Sequence, residues 1–322
     1  MEIHVKSTPI LAAMTAALCL ALAGCGNNEK PKATQAQQQA AANQQETAKY
    51  NLYVDAANRS EDFADTLNKH IELYAKPLAS GKPLANYSMF TSYSVVNAQK
   101  ALKSALALQP PMPELDGPAT EMLTALAKLA PVQAELNSYA DSSGFLADNG
   151  KKARELEPAF QAAMLDVAKA QAKFYDGISA RDEINTKTAF ENAPKDTTAY
   201  YRAGAILYSK QAARLSTPFF ESAGGAQETA AFEQSLNQSG DMIEQWDKKL
   251  RASNPAGCSA MIQINDFLSR GRSAIRNAKQ GLYTPHGDKM IWKLTNPLPS
   301  DAAQFNRGFA NMIEGINQNG CA

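Results

Sequence analysis

Cysteine, histidine and a clustered set of tyrosines are the side chains of this 322-residue sequence whose types could carry chemistry. Cys25 closes the tetrad Leu22-Ala23-Gly24-Cys25, directly behind an apolar run from Ile10 to Ala23 (ILAAMTAALCLALA). Cys19 lies inside the apolar run, while Cys258 and Cys321 stand far downstream. His70 and His286 are the histidines beyond the leader, and neither has another His, Cys or carboxylate at zinc-ligand spacing. Glu72 follows His70 at the wrong spacing for the Glu-x-x-His pairs of carboxylate-bridged metal bundles. A Ser–His–acid triad lacks the elbow that would expose its nucleophile. Gly224-Gly225 suits the end of one helix and the start of another better than a phosphate cradle, which needs a strand and a Lys/Ser around it. The expected chemistry of the downstream residues is a Cys258–Cys321 disulfide, with no metal, no cofactor and no catalytic set.

The apolar run is about 14 residues, short of the roughly 20 that a helix needs to span a bilayer. A short charged start, a short apolar stretch and small residues before a cut form a secretory signal peptide. Leu-Ala-Gly-Cys is similar to the lipobox of bacterial lipoproteins, in which the Cys thiol takes diacylglycerol, the peptide is cut before it, and the new amino terminus is acylated, for instance with palmitate. Two such lipid signals anchor a protein stably. In the enterobacterial lipoproteins that this tetrad resembles, Asp at the position of Gly26 favours inner-membrane retention, so the resemblance implies the outer membrane, facing the periplasm, as the expected address. Once Cys25 is lipidated, Cys258 and Cys321 are a lone pair in an oxidising compartment, which points to a bond between them.

Lys+Arg and Asp+Glu balance at 32 each. The basic footprint of a nucleic-acid binder is missing. Gly26 to Thr47 is rich in Gln, Ala and Asn without an apolar period, and reads as a disordered tether with at most transient helix. From there the chain turns helical. Tyr50, Tyr53, Ala57, Ser60, Ala64, Leu67, Ile71, Tyr74 and Leu78 alternate in steps of three and four, one continuous seam. Further helices are expected over Val95–Leu108, from Asp116-Gly117-Pro118 to Tyr139, and along Ala153–Ile178. Thr197–Leu215, Ala226–Leu250, Cys258–Lys279 and Asp301–Ile316 complete the set. Thr284 to Pro299 is rich in Pro and Gly and reads as a connection. No period-two run asks for a sheet. The expected fold is all-α, an elongated multi-helix bundle of about eight helices. It follows a signal peptide (1–24) and a lipidated tether (25–47), and occupies 48–322 as one domain with Ile184 to Thr197 as its best internal boundary.

Several segments, in order, resemble the YiiG-like family of bacterial lipoproteins, a family of unknown function. They are Lys49-Tyr-Asn-Leu-Tyr53 with Asn58, Pro113-Glu-Leu115-Asp116 with Ala119, Tyr139 before Asp148-Asn-Gly150-Lys151, and Tyr200-Tyr201-Arg-Ala-Gly-Ala-Ile-Leu-Tyr-Ser209-Lys210-Gln211. The resemblance implies a helical, membrane-anchored envelope protein and supplies no catalytic residue. Family members often place a Cys in the first helix and another in the second, where this chain has Ala56 or Ala57 and Asn97. The Cys258–Cys321 pairing is argued from this sequence alone.

Tyr200, Tyr201, Tyr208, Phe219 and Phe220 are the candidate surface or groove aromatics, with packing at the rim of the core as the plainer alternative. Lys210 and Gln211 read as a solvated helix face. The expected function is a non-enzymatic lipoprotein that presents a helical bundle to a protein partner. A carrier of a small apolar or lipidic ligand is the alternative, and an enzyme a weaker one.

Overall fold

The computed structural model describes residues 35–81, 84, 86–89, 92–285, 287, 289–318 and 321. Regular structure among them is helical throughout, in agreement with the all-α expectation. The described residues form two compact units, one ending at Arg181 and one beginning at Asp182. Cys25 and His286 lie outside the described residues.

In the first unit α1 (Gln35–Arg59) packs on α4 (Ser92–Leu106), and α4 on α5 (Pro113–Asp141). Between α1 and α4 come α2 (Phe63–His70), a π-helical turn over Ile71–Ala75 and α3 (Lys76–Ala79). The short α6 (Gly144–Ala147) leads from α5 into α7 (Lys151–Asn192). Tyr53, Phe63, Leu102, Leu126, Phe160 and Phe174 are fully buried at the centre. Each such side chain contributes about 1.5–3 kcal/mol by leaving water.

Three features of the first unit differ from the sequence expectation, each for a physical reason. First, α1 begins at Gln35, inside the expected tether. Adding a turn to a helix already anchored from Lys49 costs far less than nucleating one, and Ala and Gln propagate it well. Second, the seam from Tyr50 to Leu78 is broken at Ser60–Asp62. Asp62 Oδ1 accepts from the Asp65 N–H at 2.9 Å and starts a new helix. Gln171 of α7 fixes the break: its Oε1 accepts from the Phe63 N–H and its Nε2 donates to the Glu61 carbonyl. Third, α5 starts at Pro113, one turn before Asp116. Pro118 therefore lies inside the helix and leaves the Glu114 carbonyl without its intrahelical donor. At that carbonyl α7 comes close, since a Cβ on Gly177 would lie 2.5 Å from it.

Asp116 then becomes a junction. Its carboxylate accepts from Lys49 Nζ at 2.9 Å, Tyr53 Oη at 2.5 Å and the Met112 N–H at 2.9 Å. Lys49 is 1% exposed.

In the second unit α8 (Thr198–Glu221) and α9 (Ala226–Ser253) form an antiparallel hairpin. Gly224, at φ +80°, takes the left-handed conformation that ends α8, and its N–H bonds the Phe219 carbonyl at 2.9 Å. Small residues let the two helices close: the Ser209 and Ser239 hydroxyls meet at 2.6 Å, and Ser235 Oγ donates to the Tyr208 carbonyl. α10 (Met261–Lys279) and α12 (Leu298–Gln318) pair antiparallel, with α11 (Lys289–Thr295) between them in sequence. The Thr284–Pro299 stretch is thus not all connection: it holds a helix too short to show a period. Ile184 to Asn192, at the expected boundary, are the last turns of α7, so the division between the two units at Arg181 and Asp182 falls inside a helix.

Phe219 and Phe220 are core residues rather than surface aromatics. They pack with Phe232, Tyr283 and Phe305 at ring separations of 4.8–6.3 Å. The other end of the unit brings Cys258 and Cys321 to a Cα–Cα distance of 5.5 Å, within disulfide range.

Asp116→Ala leaves the Lys49 ammonium without its carboxylate and should cost about 2–3 kcal/mol at pH 7 in urea unfolding. The double variant Lys49→Met/Asp116→Ala should recover most of that loss. Burial alone would raise the Asp116 carboxyl, but hydrogen bonds from Tyr53, Lys49 and the Met112 N–H outweigh it and hold it below the ordinary carboxylate range. With the folded pKa depressed, its stabilisation is present above the unfolded value of about 4 and is lost as pH falls through the folded value. The gap between wild type and Asp116→Asn should therefore narrow on acidification; a constant gap from pH 7 to pH 3 would contradict it. As for the cysteines, non-reducing peptide mapping should find Cys258 linked to Cys321. Serine at both positions should cost about 4 kcal/mol for a closed loop of this length.

Candidate functional site: an aromatic groove on the second unit

The turn from α7 to α8 is set by local chemistry. Thr197 Oγ1 accepts from the Tyr200 N–H and donates to the Pro194 carbonyl, so one hydroxyl caps α8 and ties down the turn before it. Two aromatic residues are thereby brought face to face. Phe190 and Tyr200 stack at 4.8 Å with an interplanar angle of 23°. Lys195 Nζ lies 4.3 Å from the Tyr200 ring centre and 5.3 Å from that of Phe190. Gly204 gives Phe190 its room, because a Cβ there would lie 2.9 Å from the ring. Tyr201 points its hydroxyl to Asp196 at 3.0 Å, a bond that pushes the phenol up, and Lys249 pairs with the same carboxylate at 2.9 Å.

Beyond the stack, residues of α7 and α8 line an open groove of about 480 Å³. Phe190, Leu207, Tyr208 and Leu215 supply its apolar surface. Glu183, Glu191, Lys187 and Arg214 supply charges of both signs, and exposed Gln211 adds an amide. Tyr208 meets Phe190 edge to face at 5.9 Å. Arg214 and Glu183 bridge the helices at 2.9 Å.

The groove's walls are held by a buried cation. Lys210 is 4% exposed, and its ammonium donates to Asp182 Oδ1 at 2.6 Å and Thr186 Oγ1 at 3.2 Å. This corrects the expectation of a solvated face: Gln211 is solvated, and its neighbour Lys210 is not. Heptad reasoning sees only the helix that carries a residue, and the acid here is on another helix.

Of the five candidate aromatics, the structure brings Tyr200, Tyr201 and Tyr208 to this region and places Phe219 and Phe220 in the core. Phe190, Leu207 and Leu215 were missed. The available signal was Phe190 and Tyr200 on either side of Pro194, a pattern that a tight turn would bring together.

A second cluster lies in the first unit. His70 Nε2 stands 3.0 Å from both carboxylate oxygens of Glu157, and both residues are buried. Gln161 Nε2 donates to the same carboxylate at 2.8 Å. Phe160, Tyr74 and Tyr87 enclose the imidazole at ring separations of 4.7, 5.5 and 6.4 Å. Burial raises the Tyr87 phenol well above its ordinary value. An imidazole oriented by a carboxylate is half of an acid–base device. Here the ring is enclosed by aromatics, and the Ser88 hydroxyl near them bonds Tyr74. Among the described residues no three His, Cys, Asp or Glu side chains group as metal ligands. Nor is any described helix long and apolar enough to cross a membrane.

The family model described as "Protein of unknown function (DUF3829)" matches residues 44–318, from within α1 to the last residue of α12. No curated protein and no solved structure matches the chain.

The groove's rigidity is open to test. Asp182→Ala strands the Lys210 ammonium in the α7–α8 interface and should lower stability by about 2–3 kcal/mol. It should also change the near-ultraviolet dichroism of the Phe190–Tyr200 region, while Lys210→Met should cost less. Equal losses for the two variants would mean that the pair does not govern the groove.

Proposed function

We propose, from the premise that the chain belongs to the DUF3829 family, that it is a non-enzymatic envelope lipoprotein, held by lipid on Cys25, that offers its α7–α8 groove to a helix of a protein partner. The groove carries this reading. Its apolar residues fit one or two turns of an amphipathic helix, the mode in which anchors at i, i+3 and i+4 enter an apolar trough. Balanced charges at its edges set orientation without favouring an anionic ligand. The Leu22-Ala23-Gly24-Cys25 tetrad and the YiiG-like segment order support the anchor, and Gly26 favours the outer membrane at its periplasmic face.

Anchor and groove are tested separately. Cys25→Ser should leave unprocessed precursor and abolish labelling by radioactive palmitate; persistent labelling would remove the lipid anchor from the proposal. For the groove, a photoreactive benzoylphenylalanine at Leu207 or Gln211 should give one reproducible protein adduct in intact cells. The same probe at exposed Lys103, in the first unit, should not, and Tyr208→Glu should reduce the adduct at Gln211. Adducts to lipid instead of protein would favour a ligand carrier, and equal adducts at all three positions would sink the partner reading.

A further inference from the structure

α11 is built the wrong way round for a helix that only covers a core. Met290, Ile291 and Leu294 are 75%, 62% and 83% exposed. At 100° per residue these three positions share one face, spanning about 100° of arc. Trp292, half-buried, lies on the opposite side, and its indole nitrogen is enclosed by the protein. The helix end is fixed. The Asn296 N–H bonds the Trp292 carbonyl at 2.8 Å, Thr295 Oγ1 donates to the Ile291 carbonyl at 2.9 Å, and the Leu298 N–H bonds Asn296 Oδ1 at 3.0 Å. The apolar face is thus presented to solvent by a locked turn.

Charge narrows what could cover it. The helix reads Lys-Met-Ile-Trp-Lys-Leu-Thr, with two lysines and no acid, and Lys293 is exposed beside Leu294. Three side chains are far fewer than the 20–30 residues a side of a standard protein interface. They are enough for a shallow wedge among acyl chains, with lysine at headgroup level.

We infer that α11 docks on an anionic phospholipid bilayer, inserting Met290, Ile291 and Leu294 between lipids with Lys293 on their phosphates. The inference rests on the lipid-anchor reading for the nearness of a membrane. Its own evidence is the exposed apolar face and its basic flank. An acylated Cys25 makes the encounter intramolecular, so a wedge too weak to bind alone suffices.

The test uses the full chain as cells process it, carrying Leu294→Cys labelled with the environment-sensitive dye NBD. Vesicles are phosphatidylethanolamine and phosphatidylglycerol, or phosphatidylcholine alone. Dye emission should rise severalfold and shift to the blue on the anionic vesicles, be quenched by acyl-chain-brominated lipid, and respond less to phosphatidylcholine. Adding Ile291→Glu should weaken the response about tenfold. Thermal unfolding should stay unchanged, since both positions are exposed. The same dye at Lys103→Cys should not respond. No response at position 294 from a vesicle-bound chain would overturn the proposal, as would a photocrosslinker there that labels a protein or a second copy instead of lipid. The mass of the N-terminal peptide reports acylation independently. An unacylated chain whose dye still enters anionic bilayers would fail the anchor and keep α11, while an acylated chain with a silent dye would do the reverse.

Discussion

The ammonium of Lys49 is closed off from water, and its carboxylate partner is Asp116. Stranding such a charge costs several kcal/mol, so every arrangement that keeps Lys49 buried must also keep α5 where it is. Tyr53, one turn along α1, donates to the same carboxylate and fixes the rotation of the helix as well as its height. Arg181 of α7 completes the junction by pairing with Glu114 at 3.0 Å and with Glu46. Apolar seams cannot supply this. Ala56 and Ala57 are small and specify register only weakly, whereas a slip of α1 takes Lys49 away from Asp116. Lys210 and Asp182 apply the same constraint to α7 and α8 in the second unit.

Reading polar groups as register pins also bears on the His70–Glu157 pair. Out of context, a buried imidazole on a carboxylate looks like acid–base machinery. Its surroundings argue for a pin: the carboxylate is shared with Gln161 of its own helix, and the imidazole is wrapped by Phe160, Tyr74 and Tyr87. A reacting atom would have to displace one of those rings to reach it. The pair joins residues 87 positions apart, α2 to α7, where a pairing has structural value whether or not it has chemistry.

What could be read from the sequence follows from the range of the forces involved. Helices α4, α5, α7 to α10 and α12 were legible because their apolar period and caps are local, as with Thr197 before α8. The break at Ser60–Asp62 was not, because Gln171, 110 residues from Glu61, stabilises the opened backbone. Lys210 was misread for the same reason. Phe219-Phe220 beside Pro218 has the composition of a patch and of a core alike, and only the rings of Phe232, Tyr283 and Phe305 decide between them. The α7–α8 groove was half legible: its tyrosines stood out, but Phe190, Leu207 and Leu215 become a surface only when two helices meet. α11 was invisible, an amphipathic helix of about two turns between prolines.

The groove and α11 expose apolar surface in opposite ways. A concave trough with fixed walls selects a shape, and its balanced charges can choose the orientation of one complementary helix. A convex ridge with basic neighbours selects nothing so specific; it suits a fluid partner that deforms around it and carries negative charge. Both surfaces are too small to bind tightly from dilute solution. Under the proposed acylation of Cys25, the anchor would raise the effective concentration of bilayer, and of any partner in that bilayer, so that weak contacts act together. A chain with no described helix apolar enough to span a membrane could then work at one through three modest attachments: an acyl group, a ridge and a groove. Loss of the first should weaken the other two, because each relies on that proximity more than on its own buried area.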